Sequence, residues 1–439
     1  MNLLGHYNDS NLRKVDVTDI WNDCTGWYDS VKQREYAIAG TTDSIYFFDI
    51  TDPAQMKLVD REWGSSSLCR NRDYEVYQHY VYCVADQGQG DGVLQIFDLK
   101  NLPDSVYKVY QSGSLGQFTH TIFIEAMSKR LYMCSNTTFD SGTVAMDILS
   151  LNNPEFPTFL AHLDVPHPQG VPLFSIVHEM YARNDTSYCS CGNAGLFIFD
   201  LRDLSNQKLI GSITSYPKKG YNHSSWLDES GRYIMFTDEN AGLDAKIFDI
   251  ADLNNPHFVS VFNSNPGAMP HNAYWKGKFA YVSAYHDGVR IWNVHDPEHP
   301  VQVAWYDTHP QEPEVYGGYK GCLGVWPYLP SGHIIASDLT SGIFVFGVDS
   351  LDDIADLKRE YELNLYPNPC GNTLHVDLDQ SVTAARVQLS DMQGRMLIDS
   401  NLHGGSNTLG LDALNNGIYM LHLMSEYGEL NRKILKTGN

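Results

Sequence analysis

Apolar and polar positions along the chain fall into a pattern that recurs seven times. An apolar run led by Tyr or an aliphatic residue is followed by a polar turn, often with Gly, then a second apolar run closed by Asp, then a turn and a third run. YAIAGTTDSIYFFDITDPAQMKLVD, from Tyr36 to Asp60, is the first full copy, and the others start at Tyr80, Leu131, Tyr188, Tyr233, Tyr281 and Ile334. The second run closes at Asp49, Asp98, Asp147, Asp200, Asp249, Asn293 and Gly347, a period of 44 to 54 residues. The runs are short, rich in Val, Ile, Phe and Tyr, and bounded by Gly, Asn, Asp and Pro, which is the chemistry of strands and turns. A further apolar segment, such as HTIFIEAMSKR or HNAYWKGK, precedes the Tyr run, so each copy holds four strands. Such units pack radially because one sheet alone cannot bury both its faces, and seven copies predict an all-β, seven-bladed β-propeller.

A ring of blades needs a staple between its ends. Asn2-Leu-Leu-Gly-His6 is similar to the last-strand segments QKLIG (Gln207 to Gly211) and MKLVD (Met56 to Asp60), whereas the seventh copy lacks such a segment after Phe346. The N-terminal strand is therefore expected to complete the seventh blade, with the propeller spanning 1–348. The charged, leucine-spaced stretch at 349–362 reads as a linker or short helix, and 363–439 as a small Ig-like β-sandwich of short strands separated by Gly, Asn and Pro turns. The Asp residues that close the second runs read as turn caps.

This C-terminal segment resembles the type IX secretion system sorting domain of Bacteroidetes, through Tyr366-Pro-Asn-Pro369, Leu389-Ser-Asp-Met-Gln-Gly394, Gly417-Ile-Tyr-Met-Leu421 and Arg432-Lys-Ile-Leu-Lys436. The resemblance implies a removable address read by the type IX secretion machinery, and a product secreted or held at the outer-membrane surface. Phe47 to Pro53 and Ile247 to Pro256 make the first segment similar to the LVIVD-repeat, or choice-of-anchor B, secreted proteins. That resemblance implies fold and compartment and transfers no activity.

Charge narrows the partners. The chain of 439 residues carries 53 acidic and 30 basic side chains, net −23, which repels phosphate backbones and anionic headgroups and argues against nucleic acid. No apolar run reaches the roughly 18 residues of a transmembrane segment, and Met1 is not followed by signal-peptide regions, so the expectation is a mature form whose signal peptide has been removed. Of the eight cysteines, Cys24, Cys69 and Cys322 sit at matched positions in blades one, two and seven and leave room for one disulfide.

Catalytic motifs are missing: His178-Glu-Met-Tyr-Ala182 begins like HExxH but has Ala where the second His belongs. One constellation stands out. His120, His178, His223 and His271 precede Tyr132, Tyr188, Tyr233 and Tyr281 by 12, 10, 10 and 10 residues, and Asp73 precedes Tyr82 by 9. Each falls at the start of an innermost strand, and the turns expected at the same end hold Asp238, Glu239 and His286. Imidazole nitrogens and carboxylate oxygens converging on one channel mouth suit a polar ligand or a divalent metal ion held by a subset of the four His. The plainer alternative is that they hydrogen-bond neighbouring blades and channel water. Three functions follow: a non-enzymatic exported protein recognising an extracellular ligand, a metal-dependent hydrolase or lyase with Glu239 or Asp238 as base, or a structural surface adhesion module.

Overall fold

The computed structural model describes residues 1–9, 11–15, 20–87, 92–310, 316–348, 364–378, 382, 385–391, 395–425 and 428–438. The chain divides into two compact units, Met1–Asp349 and Ser350–Asn439. The linker and helix reading of 349–362 lies outside the described residues.

The first unit is a seven-bladed β-propeller. Six four-stranded antiparallel sheets follow one another along the chain, with innermost strands Trp21–Asp29, Arg72–Tyr77, Thr121–Glu125, Glu179–Arg183, Asn222–Leu227 and Ala273–Lys276. The seventh has Cys322–Trp326 innermost, and its outermost strand is Asn2–Tyr7, paired antiparallel with Gly342–Gly347. Each outermost strand pairs through a register shift at one matched place, at Phe47/Phe48, Ile96/Phe97, Ile148/Leu149, Ile198/Phe199, Ile247/Phe248 and Ile291/Trp292. Asn2–Tyr7 makes the same shift between Leu3 and Gly5. Gly5 sits so close to the turn of blade one that a Cβ there would lie 2.5 Å from the Pro53 carbonyl oxygen. The N-terminal strand thus locks blade seven and abuts blade one. Between blades the cores are aromatic and aliphatic: Tyr36, Ile38 and Phe47 pack on Val81, Cys83 and Phe97, and Phe123, Tyr132 and Met146 on Cys189, Phe197 and Phe199.

The turn caps are real in most blades. Asp49, Asp98, Asp200, Asp249 and Asn293 each accept the backbone N–H two residues on, at 2.8–3.1 Å. Asp147 does not. The hairpin of blade three is longer, Arg130–Thr138 with Gly142–Ser150, so the capping position shifts to Ser150, whose Oγ accepts Asn152 N–H at 3.2 Å. Asp147 is buried instead and accepts from Asn136 Nδ2 at 2.6 Å and from the His162 ring. All eight cysteines are free buried thiols, so the bridge for which Cys24, Cys69 and Cys322 left room is not made.

Asp238 also turns out to be structural. Its carboxylate and the Lys246 ammonium are both fully buried and 3.0 Å apart, and the same carboxylate accepts Tyr216 Oη at 2.9 Å and Gly220 N–H at 2.8 Å.

The second unit is a β-sandwich. A three-stranded sheet, Asn364–Tyr366, Thr373–Leu378 and Gly405–Gly410, accompanies a four-stranded one ordered Met396–Leu402, Ala385–Asp391, Gly417–Ser425, Gly428–Lys436. Alternating Leu374, Val376, Val387, Leu389, Leu421 and Leu423 form its core.

Two outcomes follow. Deleting residues 1–7 opens the ring and exposes a strand edge, so the propeller melt, followed by circular dichroism, falls by more than about 5 °C. Asp238→Ala strands a buried ammonium and lowers stability by about 3–5 kcal/mol in urea titration.

Candidate functional site

The starts of the innermost strands and the turns between second and third strands enclose a cavity of about 660 Å³. His120, His178, His223 and His271 come from blades three to six, and in blades three and five the hydroxyl one residue further on holds the backbone of the next blade's histidine. Thr121 Oγ1 donates to the His178 carbonyl at 2.6 Å, and Ser224 Oγ to the His271 carbonyl at 3.0 Å. The four rings form a continuous arc, with centroids 4.2, 4.3 and 4.1 Å apart in blade order. His120 Nε2 lies 2.8 Å from His178 Nε2, while its Nδ1 faces Asp86 Oδ2 at 3.3 Å.

Imidazoles this close cannot all be cationic. Burial pushes His178 and His223 well below the usual imidazole range and His271 down to about 3, and the neighbouring rings add to the effect. His178, His223 and His271 are therefore neutral nitrogen donors. His271 donates Nδ1–H to the Leu323 carbonyl at 2.7 Å, which leaves its Nε2 lone pair facing Glu239 Oε1 at 3.7 Å. The Nδ1 atoms of His178 and His223 are buried without a hydrogen-bond partner.

Glu239, from the turn of blade five, closes the arrangement. Its Oε1 accepts the Tyr285 hydroxyl at 2.7 Å, and its Oε2 lies 3.9 Å from His223 Nε2. Burial raises its carboxyl to about 7, against the lowering effect of the Tyr285 hydrogen bond. Among the described residues, His178, His223 and Glu239 each offer one ligand atom, all within 4.8 Å of one another.

The remaining predicted residues divide. Asp73 lines the cavity, but its two oxygens accept Tyr74 N–H at 2.9 Å and Ile122 N–H at 2.6 Å, and burial raises it well above the carboxylate range. It staples blade two to blade three. His286 does not line the cavity: it is buried against the rings of His309 and Tyr316, 6.2 and 5.7 Å away. Asp238 is held in its pair with Lys246. In both turns the adjacent residue, Tyr285 or Glu239, takes the inward place.

Sequence reasoning missed Glu179, Tyr221, Tyr285 and Asn272, all of which line the cavity. Glu179 Oε2 is 3.4 Å from His223 Nδ1; its signal was the rejected His178-Glu179 pair, which mattered outside the zincin pattern. Three residues beyond the histidines stand Phe123, Tyr181, Trp226 and Tyr274. Trp226 packs on Tyr181 at 4.6 Å, on Tyr274 at 4.8 Å and on Tyr328 at 5.7 Å, giving the innermost strands an aromatic band one step beyond the imidazoles.

No curated protein matches the chain in sequence. Among solved structures, the β-propeller domain of Myceliophteria thermophila Cps50 (Swd1) is similar in fold, with a TM-score of 0.50 at 12% identity over 79% of this chain and 99% of that one. Residues 364–437 match the secretion system C-terminal sorting domain. The chain is accordingly a β-propeller protein that carries a type IX sorting tail and is secreted or displayed at the cell surface.

Proposed function

We propose that this is an exported binding protein whose propeller mouth holds a divalent transition metal through His178, His223 and Glu239 and presents it to a small polar extracellular ligand. The carrying observation is the convergence of three ligand atoms within 4.8 Å, two of them from buried neutral imidazoles. Two nitrogens and one oxygen suit zinc, nickel, manganese or iron, and a three-residue set leaves coordination positions open toward the cavity, whose volume fits a small molecule. His271, oriented by Leu323, and His120, oriented by Asp86, support the set from either side.

A metal-assisted hydrolase or lyase is the second reading, favoured by the Glu239 carboxyl poised at about 7. The LVIVD-repeat assignment, a Bacteroidetes source and placement at the outer-membrane surface belong to the proposal and rest on sequence resemblance.

Calorimetry with zinc, nickel and manganese tests the reading. The wild type binds one ion, and the His178→Ala, His223→Ala double variant loses binding while keeping its circular dichroism spectrum. No wild-type binding, or equal binding by both, overturns it.

Acid weakens the site chiefly through Glu239. With its carboxyl at about 7 and the imidazoles neutral far below that, one proton leaves per ion bound, so affinity falls up to about tenfold per pH unit below 7. A steep fall starting only below about pH 5 would contradict this assignment.

Export is tested by a chain of residues 1–348 placed behind a periplasmic leader peptide and expressed in a host with a type IX system. It folds and stays in the periplasm, whereas delivery to the surface would refute the role of the tail.

A further inference from the structure

Blades four and six make the same turn toward the next blade with different residues. In blade four, Cys191 N–H reaches Gly195 O at 2.8 Å, and Gly192 exchanges backbone hydrogen bonds with Asn222 of blade five at 3.0 and 3.1 Å. In blade six, Ala284 N–H reaches Gly288 O at 2.9 Å, and Tyr285 exchanges the equivalent pair with Cys322 of blade seven at 3.1 and 2.8 Å. Gly192 has φ +57°, natural for glycine, but Tyr285 occupies the same left-handed region at φ +40°, where a bulky side chain is strained. The fold itself is served by glycine at this turn.

Glycine and tyrosine change places between the two boundaries. Tyr221, just before Asn222, covers Gly192, where a Cβ would lie 2.7 Å from its ring. Gly321, just before Cys322, lies under Tyr285, where a Cβ would be 2.3 Å from the Tyr285 carbonyl oxygen. Each boundary keeps one aromatic ring, and the two rings flank the histidine arc: Tyr221 sits edge-on to His178 at 5.1 Å, and Tyr285 edge-on to His271 at 4.9 Å. The phenol of the strained tyrosine reaches the Glu239 carboxylate, 2.7 Å to Oε1, which leaves Oε2 facing His223. Glu239 is held from the other side through its backbone N–H, which donates to the Tyr221 carbonyl at 2.8 Å.

Resting on the metal reading above, we infer that Tyr285 is a positioning residue: its phenol holds one oxygen of Glu239 so that the other is presented beside His223 as a metal ligand. Backbone strain at 285 persists because the hydrogen bond and the ring contacts with His271 and Tyr319 fix the side chain there.

Titration of the full chain with cobalt(II), followed by visible absorption, tests this with Tyr285→Phe, Tyr285→Gly and Glu239→Gln beside the wild type. Both Tyr285 variants bind cobalt at least about tenfold more weakly, and their bound-ion spectra move toward that of Glu239→Gln. The glycine variant keeps a cooperative melt, because blade four already uses glycine at this turn. Wild-type affinity and spectrum in Tyr285→Phe would overturn the inference while leaving the metal reading intact. So would weaker binding with an unchanged spectrum and a lowered melt, since that marks a merely structural role. No cobalt binding by the wild type would overturn the metal reading and this inference together.

Discussion

Hydrogen bonding of residues 2–7 to the strand Gly342–Gly347 closes the ring, and the geometry at its mouth depends on that closure. Each innermost strand is positioned by its neighbours rather than by its own blade alone. Thr121 and Ser224 each hold the backbone carbonyl of a histidine one blade on, and Asp73 accepts a backbone N–H of blade three. An open ring would let these contacts relax, because nothing within a single sheet sets the distance from one blade to the next. Closure is also local in cost: it needs an outer strand with the shared register shift and a glycine where Pro53 approaches, and Gly5 meets both demands.

Burial then sets the chemistry. Four imidazoles with centroids about 4 Å apart would repel one another strongly if charged, and desolvation holds the three that are most buried in the neutral form. The same desolvation raises Asp23, which lines the cavity from the innermost strand of blade one, to about 7, and Glu179 well above the carboxylate range, with Asp23 raising Glu179 further. The mouth is therefore far less charged than its residue list suggests, within a chain of net charge −23. A divalent cation would reverse that logic, since it favours neutral imidazole and ionised carboxylate at once.

Much of the propeller was legible because its signal is periodic. Strand runs, capping Asp residues and the spare N-terminal segment recur at one register, and the seven-bladed fold follows from counting them. The reading slipped where the period was locally broken. Asp147 looks like a cap in sequence, but the longer hairpin of blade three places the cap three residues on, at Ser150, and Asp147 is turned inward. Turns behaved similarly at the site: Asp238, Glu239 and His286 all drew attention by residue type, yet of these only Glu239 takes an inward place, and Tyr285 takes the other.

The sequence by itself determined the number of blades, the strand that closes them, the sorting tail and the presence of four histidines at one register, because each is a repeated or contiguous pattern that local chemistry enforces. Tertiary structure alone decided which side chains meet. Whether Tyr285 holds Glu239, whether His271 offers Nε2, and whether His120 meets His178 depend on contacts between residues 46 to 58 positions apart on separate blades. Those contacts are set by ring closure and by the exclusion of water from the channel, neither of which is written in any single blade.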